Sequence, residues 1–349
     1  MSLGPIMMDL QGVKLSPDER EMLIHPLVGG VILFSRNYES VEQLSALTQE
    51  LHGLRDPHLI IAVDHEGGRI QRFRDGFTPL PPMSALGDKY KADQETAREI
   101  AEQAGWVLAA ELLECGLDIS FSPVLDINFG CSGVIGDRAF DRDPEVITVL
   151  AGAVMRGMRR AGMAATGKHF PGHGGVKEDS HIAHPVDSRS LEDLLLADIL
   201  PFERLIHAGL AGIMPAHVVY EKVDPKPAGY SQRWLQEILR KRLGFQGVIF
   251  SDDLSMIAAD CGDGYIQRAR SALQAGCDMV LVCNQPQAVA ELLEGFGAYT
   301  NPASQMRLVR MHGKRSKNTP NPLRQSKQWQ EANKLVASLN EQHTLELNL

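Results

Sequence analysis

A chain of 349 residues, 44% apolar and 23% charged, has an ordinary globular composition and enough length to bury a large core. Its net charge of −9 argues against a nucleic-acid surface, whose affinity rests on clustered Lys and Arg meeting phosphates. The longest apolar patch, Leu27 to Phe34, contains two glycines and falls well short of a bilayer span.

Apolar runs of strand length recur along the chain, each followed by a helix-like stretch. They are Pro5–Leu10, Gly30–Phe34, Leu59–Asp64, Leu117–Asp126, Met163–His169, Ala211–His217, Val248–Asp252 and Met279–Cys283. Short, almost wholly apolar strands alternating with helices indicate a parallel sheet covered on its outer face. Eight such units predict a single-domain (β/α)8 TIM barrel over residues 1–300 rather than a doubly wound sheet. Between the strands, Ser16-Pro17-Asp18-Glu19 carries an N-cap Ser, a first-turn Pro and an acid three residues on. Ser40 to Gln43 repeats the device before the Leu44, Leu47, Leu51 stripe, and Ala97 to Cys115 is the longest predicted helix.

After Thr300 the composition shifts. Arg307, Arg310, Lys314, Arg315 and Lys317 precede Pro320 and Pro322, and Trp329, Ala332, Val336 and Leu339 then suit one amphipathic helix. Residues 301–349 therefore read as a basic tail with a C-terminal helix packed on the barrel wall. No basic segment followed by an apolar one opens the chain, and the five cysteines include no Cys-x-x-Cys, so the expectation is a cytoplasmic protein.

In a barrel the C-terminal ends of the strands carry the chemistry. Here those ends are unusually polar. The third strand runs into Asp64-His65-Glu66-Gly67-Gly68-Arg69 with Arg72 behind it, and the loop after the fourth gives Gly136-Asp137-Arg138. The fifth ends Lys168-His169, the sixth Pro215-Ala216-His217 and the seventh Ser251-Asp252-Asp253. Any one is weak evidence, since Asp252 or Asp253 suits a helix N-cap and a single His suits a buried core position. Together they mark an active site. The densest stretch, Gly167 to His181, gathers His169, His173 and His181 around Asp179, with His184 following. In an extended loop Asp179 and His181 face the same side, so the carboxylate accepts one imidazole N–H and leaves the other nitrogen for proton transfer.

Lys168-His169-Phe170-Pro171-Gly172-His173-Gly174, Asp179-Ser180-His181 and Ser251-Asp252-Asp253-Leu254-Ser255-Met256 together resemble glycoside hydrolase family three, in its branch of bacterial exo-β-N-acetylglucosaminidases. Val28 to Asn37, Asp64 to Arg72 and Ala275 to Asp278 are similar to the same branch, and the likeness runs from about Gly4 to Asn284. The resemblance implies that Asp252 is the nucleophile, that His181 is the general acid/base, and that Asp179 orients it. It further implies that Asp64, Arg72, Arg138, Lys168 and His169 hold the terminal N-acetylglucosamine. Retaining glycosidases usually pair two carboxylates, and this branch replaces the acid/base carboxylate with His. The Gly-rich loop would let His181 swing in after substrate binds. One departure is His65, where the resemblance leads us to expect Gln; it flanks a sugar contact, with a small expected consequence.

The resemblance also implies a cytoplasmic role in cell-wall recycling, and the expectation is a monomer with no cofactor and no metal. Its substrate would be N-acetylglucosamine joined β-1,4 to anhydro-N-acetylmuramic acid, with or without the stem peptide. Three other readings stay open on residues alone. A glycoside phosphorylase would use phosphate in place of water. A metal-dependent barrel hydrolase would need an early His-x-His at a strand end, which this chain lacks. A non-catalytic sugar-binding barrel would tolerate replacement of Asp252 and His181.

Overall fold

The computed structural model describes residues 2–180, 183–260, 262, 264–314 and 323–347, with side chains up to 339. The apolar runs form one closed parallel barrel: β1 (Ile6–Asp9), β2 (Val28–Leu33), β3 (Ile60–Val63), β4 (Ile119–Ser120), β5 (Ala164–Phe170), β6 (Gly212–Pro215), β7 (Val248–Asp253) and β8 (Met279–Val282). Each strand pairs with the next, and β8 pairs with β1. The two-residue period of a strand sorts the side chains. Met7, Ile60, Ala62 and Phe250 join the inner cluster, whereas Ile6, Met8, Ile61 and Val63 pack outward against the helices. Phe121 meets Phe250 edge to face inside the barrel, ring centres 5.2 Å apart.

The helix starts follow local chemistry. Before helix Pro17–Ile24, Ser16 and Glu19 exchange side-chain-to-backbone hydrogen bonds, closing a capping box. Ser40 caps helix Val41–His52, but Gln43 accepts from the Glu39 amide rather than from Ser40, so the box is not repeated. The long helix is Gln94–Glu114, beginning ahead of Ala97 because Asp93 accepts the Thr96 amide. Helix Lys327–Leu347 lies on it: Ala332, Val336 and Leu339 are buried, and the Trp329 indole donates to Glu111 at 2.8 Å.

The N-terminal end of the barrel is closed by the segment that follows β8. Leu308, at the end of helix Pro302–Leu308, and Met311 enter the inner cluster together with Leu3. The C-terminal end stays open beneath its loops. Arg189 clamps one of these, pairing with Asp187 and Asp198 at 2.6 Å each, while Tyr220 donates to the Gly172 carbonyl. No described helix is long and apolar enough to cross a membrane.

Candidate active site

The open end holds a cavity of about 460 Å³. Asp64, Arg72, Arg138, Lys168, His169, Asp179 and Asp252 all line it, so seven positions singled out in the sequence share one space. His181 lies outside the described residues; its chain neighbour Ser180 lines the cavity, and the Ser180 carbonyl accepts the Ala258 amide at 3.0 Å.

One wall is an ion network. Lys168, 2% exposed on β5, places its ammonium 2.6 Å from both Asp64 and Glu66. Arg138, delivered by the tight turn Gly136–Arg138, grips Glu66 with two parallel bonds of 2.8 Å. Burial would raise the Glu66 pKa, but the guanidinium and the ammonium override it and hold the carboxyl far below its usual range. Burial likewise opposes the Lys168 charge, and Asp64 and Glu66 reverse that, raising its pKa. Asp64 keeps 22% of its side chain exposed toward the cavity, with Arg72 at 3.9 Å from its second oxygen. Gly67 and Gly68, both at positive φ, turn the chain back after β3, and Arg72 reaches the face of Phe34 at 5.5 Å.

A second network sits behind the histidines. Asp126 is buried, accepts the His169 ring Nδ1 at 2.7 Å, and takes the amides of His169 and His173 on its other oxygen. Burial would raise the Asp126 pKa; His169 and those hydrogen bonds bring it down instead. A carboxylate so placed fixes the imidazole's tautomer and ring orientation. His173 in turn meets the Ser180 hydroxyl at 3.1 Å, and burial, then His169, lowers its pKa.

On β7 the two acids part company. Asp252 lines the cavity and accepts the Asp253 amide at 2.8 Å. Asp253 caps none of the described helices. It takes the amides of Ser255 and Cys283 and the Ser255 hydroxyl, tying its loop to the end of β8. Burial pushes its pKa up to about 6.

Three described histidines prominent in the sequence, His65, His184 and His217, do not line the cavity. His217 is buried behind it, and burial lowers its pKa. His65 sits 5.8 and 5.6 Å from the rings of Phe73 and Phe77, and burial, then Arg74 and Arg72, pushes its pKa down to about 3. The His65 ring is thus taken up by an aromatic cluster. Glu66, Asp126 and His173, by contrast, carry the two networks although none had been assigned a role. Asp126 closes a strand-like run and Glu66 follows one, but Arg138 is 72 positions from Glu66 and no spacing predicts that pair.

Residues 6–310 match the model of the glycosyl hydrolase family 3 N-terminal domain. The chain belongs to glycosyl hydrolase family 3. Among family 3 relatives, it is 57% identical to a β-hexosaminidase of Thioalkalivibrio sulfidiphilus over the whole of both chains. It is 56% identical to a β-hexosaminidase of Methylobacillus flagellatus over 90% of each. NagZ from Neisseria gonorrhoeae, solved with N-trifluoroacetyl-D-glucosamine, superposes with a TM-score of 0.92 at 47% identity, covering 97% of this chain and 98% of that one. The family 3 barrel is thereby the frame in which the cavity is to be read.

Proposed function

We propose that this chain is a retaining exo-β-N-acetylhexosaminidase that removes a terminal, non-reducing N-acetylglucosamine. It is a glycoside hydrolase of the β-hexosaminidase type, as its relatives' names indicate. The observation that carries the finer reading is the sharing of one 460 Å³ cavity by Asp252, Asp179 and the Lys168–Asp64–Arg138 wall. That volume lies in the range of small-ligand pockets, about 300–1,000 Å³.

In this reading Asp252 attacks the anomeric carbon while the bond to the leaving oxygen breaks. His181, held by Asp179, gives that oxygen its proton. The glycosyl-aspartate is then opened by a water whose proton returns to His181. Asp64, Lys168, Arg72, Arg138 and His169 hold the sugar's hydroxyls and acetamido group. Because Lys168 is pinned by two carboxylates, it presents a fixed donor and needs no reorganisation when sugar arrives. We further place the enzyme in the cytoplasm as a monomer, acting on N-acetylglucosamine-β-1,4-anhydro-N-acetylmuramic acid with or without its stem peptide. We place its catalytic unit in residues 1–300, while the segment after it supplies the Leu308 and Met311 plug and the helix from Lys327 that lies on the barrel wall.

NMR of the sugar first released from 4-nitrophenyl N-acetyl-β-glucosaminide, with EDTA present, tests the mechanism. Initial β-anomer is expected. Initial α-anomer would remove the covalent step, and acceleration by phosphate with release of a sugar 1-phosphate would replace hydrolysis by phosphorolysis.

A further inference from the structure

At the opposite end of the barrel two aspartates occupy matching places. Asp278 precedes β8 and accepts the Ile249 amide of β7 at 2.9 Å; Asp118 precedes β4 and accepts the Ile61 amide of β3 at 2.8 Å. Both are nearly fully buried. Their counter-charges differ. Asp278 is gripped at 2.8 Å by two permanent cations, Arg240 and Arg307. Around Asp118 the described residues offer imidazoles: His52 Nε2 at 3.5 Å from Oδ2 and His312 Nδ1 at 3.7 Å from Oδ1, both beyond normal hydrogen-bond length.

A third imidazole completes the group. His58 packs against both, with ring centres 4.8 Å from His52 and 4.2 Å from His312. The donor atoms of His52, His58 and Asp118 all fall within 4.8 Å of one another. His52 Nε2 and both nitrogens of His312 are buried and lack a hydrogen-bond partner among the described residues. Buried imidazole nitrogens are normally partnered, so a set of them converging on one carboxylate calls for an electrophile.

We propose that His52, His58, His312 and Asp118 form a structural divalent-metal site of the zinc type. Tetrahedral Zn²⁺ with bonds of about 2.0–2.2 Å sets its ligand atoms roughly 3.3 Å apart, and His52 and Asp118 already stand at 3.5 Å. The His58 donor lies within 4.8 Å of both, and His312 Nδ1 stands 3.7 Å from the other Asp118 oxygen, so side-chain rotation has to close the site. Three nitrogens and one oxygen suit zinc and disfavour Mg²⁺ and Ca²⁺, which take oxygen ligands. Four protein ligands leave no open position, so the site holds structure and performs no chemistry. The amides of Ile61 and Gly313 donate to Asp118 and orient it as a ligand. A metal here fastens the end of helix Val41–His52, the approach to β3, the start of β4 and the segment behind the Leu308–Met311 plug. The sequence had led us to expect no metal; the ligands lie at 52, 58, 118 and 312, with no recognisable spacing.

The test uses the full chain, stripped with EDTA and freed of chelator, titrated with Zn²⁺ by calorimetry and followed by thermal melting. Wild type is compared with His58→Gln, His312→Gln and the cavity variant Asp252→Asn, each first shown by circular dichroism to fold without metal. Wild type and Asp252→Asn should bind one Zn²⁺ equivalent that both His variants lose. At a Zn²⁺ concentration about a hundredfold above Kd the wild-type Tm should rise by about 3–4 °C, and the rise should vanish in the His variants. Co²⁺ in place of Zn²⁺ should give the intense visible bands of a tetrahedral site. The proposal is overturned by absence of Zn²⁺ binding in wild type, by equal stoichiometry and Tm rise in wild type and His variants, or by loss confined to Asp252→Asn. If one His variant does not fold, the other decides.

Discussion

The two ends of the barrel are built from the same materials and used differently. At the open end, Glu66 and Asp64 are neutralised by Arg138 and Lys168, and that network lines a cavity. At the closed end, Asp278 is neutralised by Arg240 and Arg307 with Ser304 at 2.6 Å, and plugging side chains cover the surroundings. A buried ion pair contributes little net stability but is costly to break. What separates a functional pair from a structural one is therefore whether one edge stays open to a ligand. Asp64 keeps that edge; Asp278, 1% exposed, does not.

The contrast is tested most strongly at Asp252. Asp252→Asn should lower kcat on the order of 10³–10⁴-fold while the Tm moves by no more than about 2 °C, in steady-state kinetics beside a melting curve. A Tm collapse with activity retained would reverse the assignment of the two ends. Next is Asp278→Ala at the closed end. It strands Arg240 and Arg307 and should cost about 3–5 kcal/mol, seen as a Tm lower by roughly 4–7 °C, with kcat/KM at 25 °C unchanged. Glu66→Gln belongs to both worlds. It should cost about 2–4 kcal/mol of stability and raise KM roughly tenfold or more, since Arg138 and Lys168 lose the carboxylate that aims them.

Acid separates the two adjacent kinds of carboxyl. Glu66 has a folded pKa below its ordinary 4.5, so its stabilisation is present above that pH and is lost as the pH falls below it. Asp253 runs the other way. Its pKa rises from 3.8 to about 6, so the favourable protonated form is fully present at low pH, and stability declines as the pH climbs through about 4 to 6. Asp253→Asn should flatten that part of the profile, removing a difference on the order of 2 kcal/mol between pH 4 and pH 7 in urea unfolding. An unchanged slope would show that another group sets it. The smallest effect is expected at Trp329→Phe, which deletes the indole bond to Glu111 and should cost about 1 kcal/mol without affecting turnover.

By itself the sequence determined what depends on neighbours along the chain. Eight short apolar runs with helices between them specify barrel strands, because continuous apolar stretches and capping residues act locally. The polar residues at their C-terminal ends pointed to one site, since a parallel barrel brings all those ends to one rim. Seven of the residues named for that site do line one cavity. Tertiary structure alone decided the rest. Whether a strand-end polar group faces the cavity or the core depends on twist and loop path, which is why His217 and His65 turn inward while Glu66 and Asp126 become the centres of the networks. Pairs such as Arg138 with Glu66, or the gathering of His52, His58 and His312 about Asp118, join positions far apart in the chain. Only closure of the barrel brings them together, because side-chain electrostatics act through space and carry no trace in local spacing.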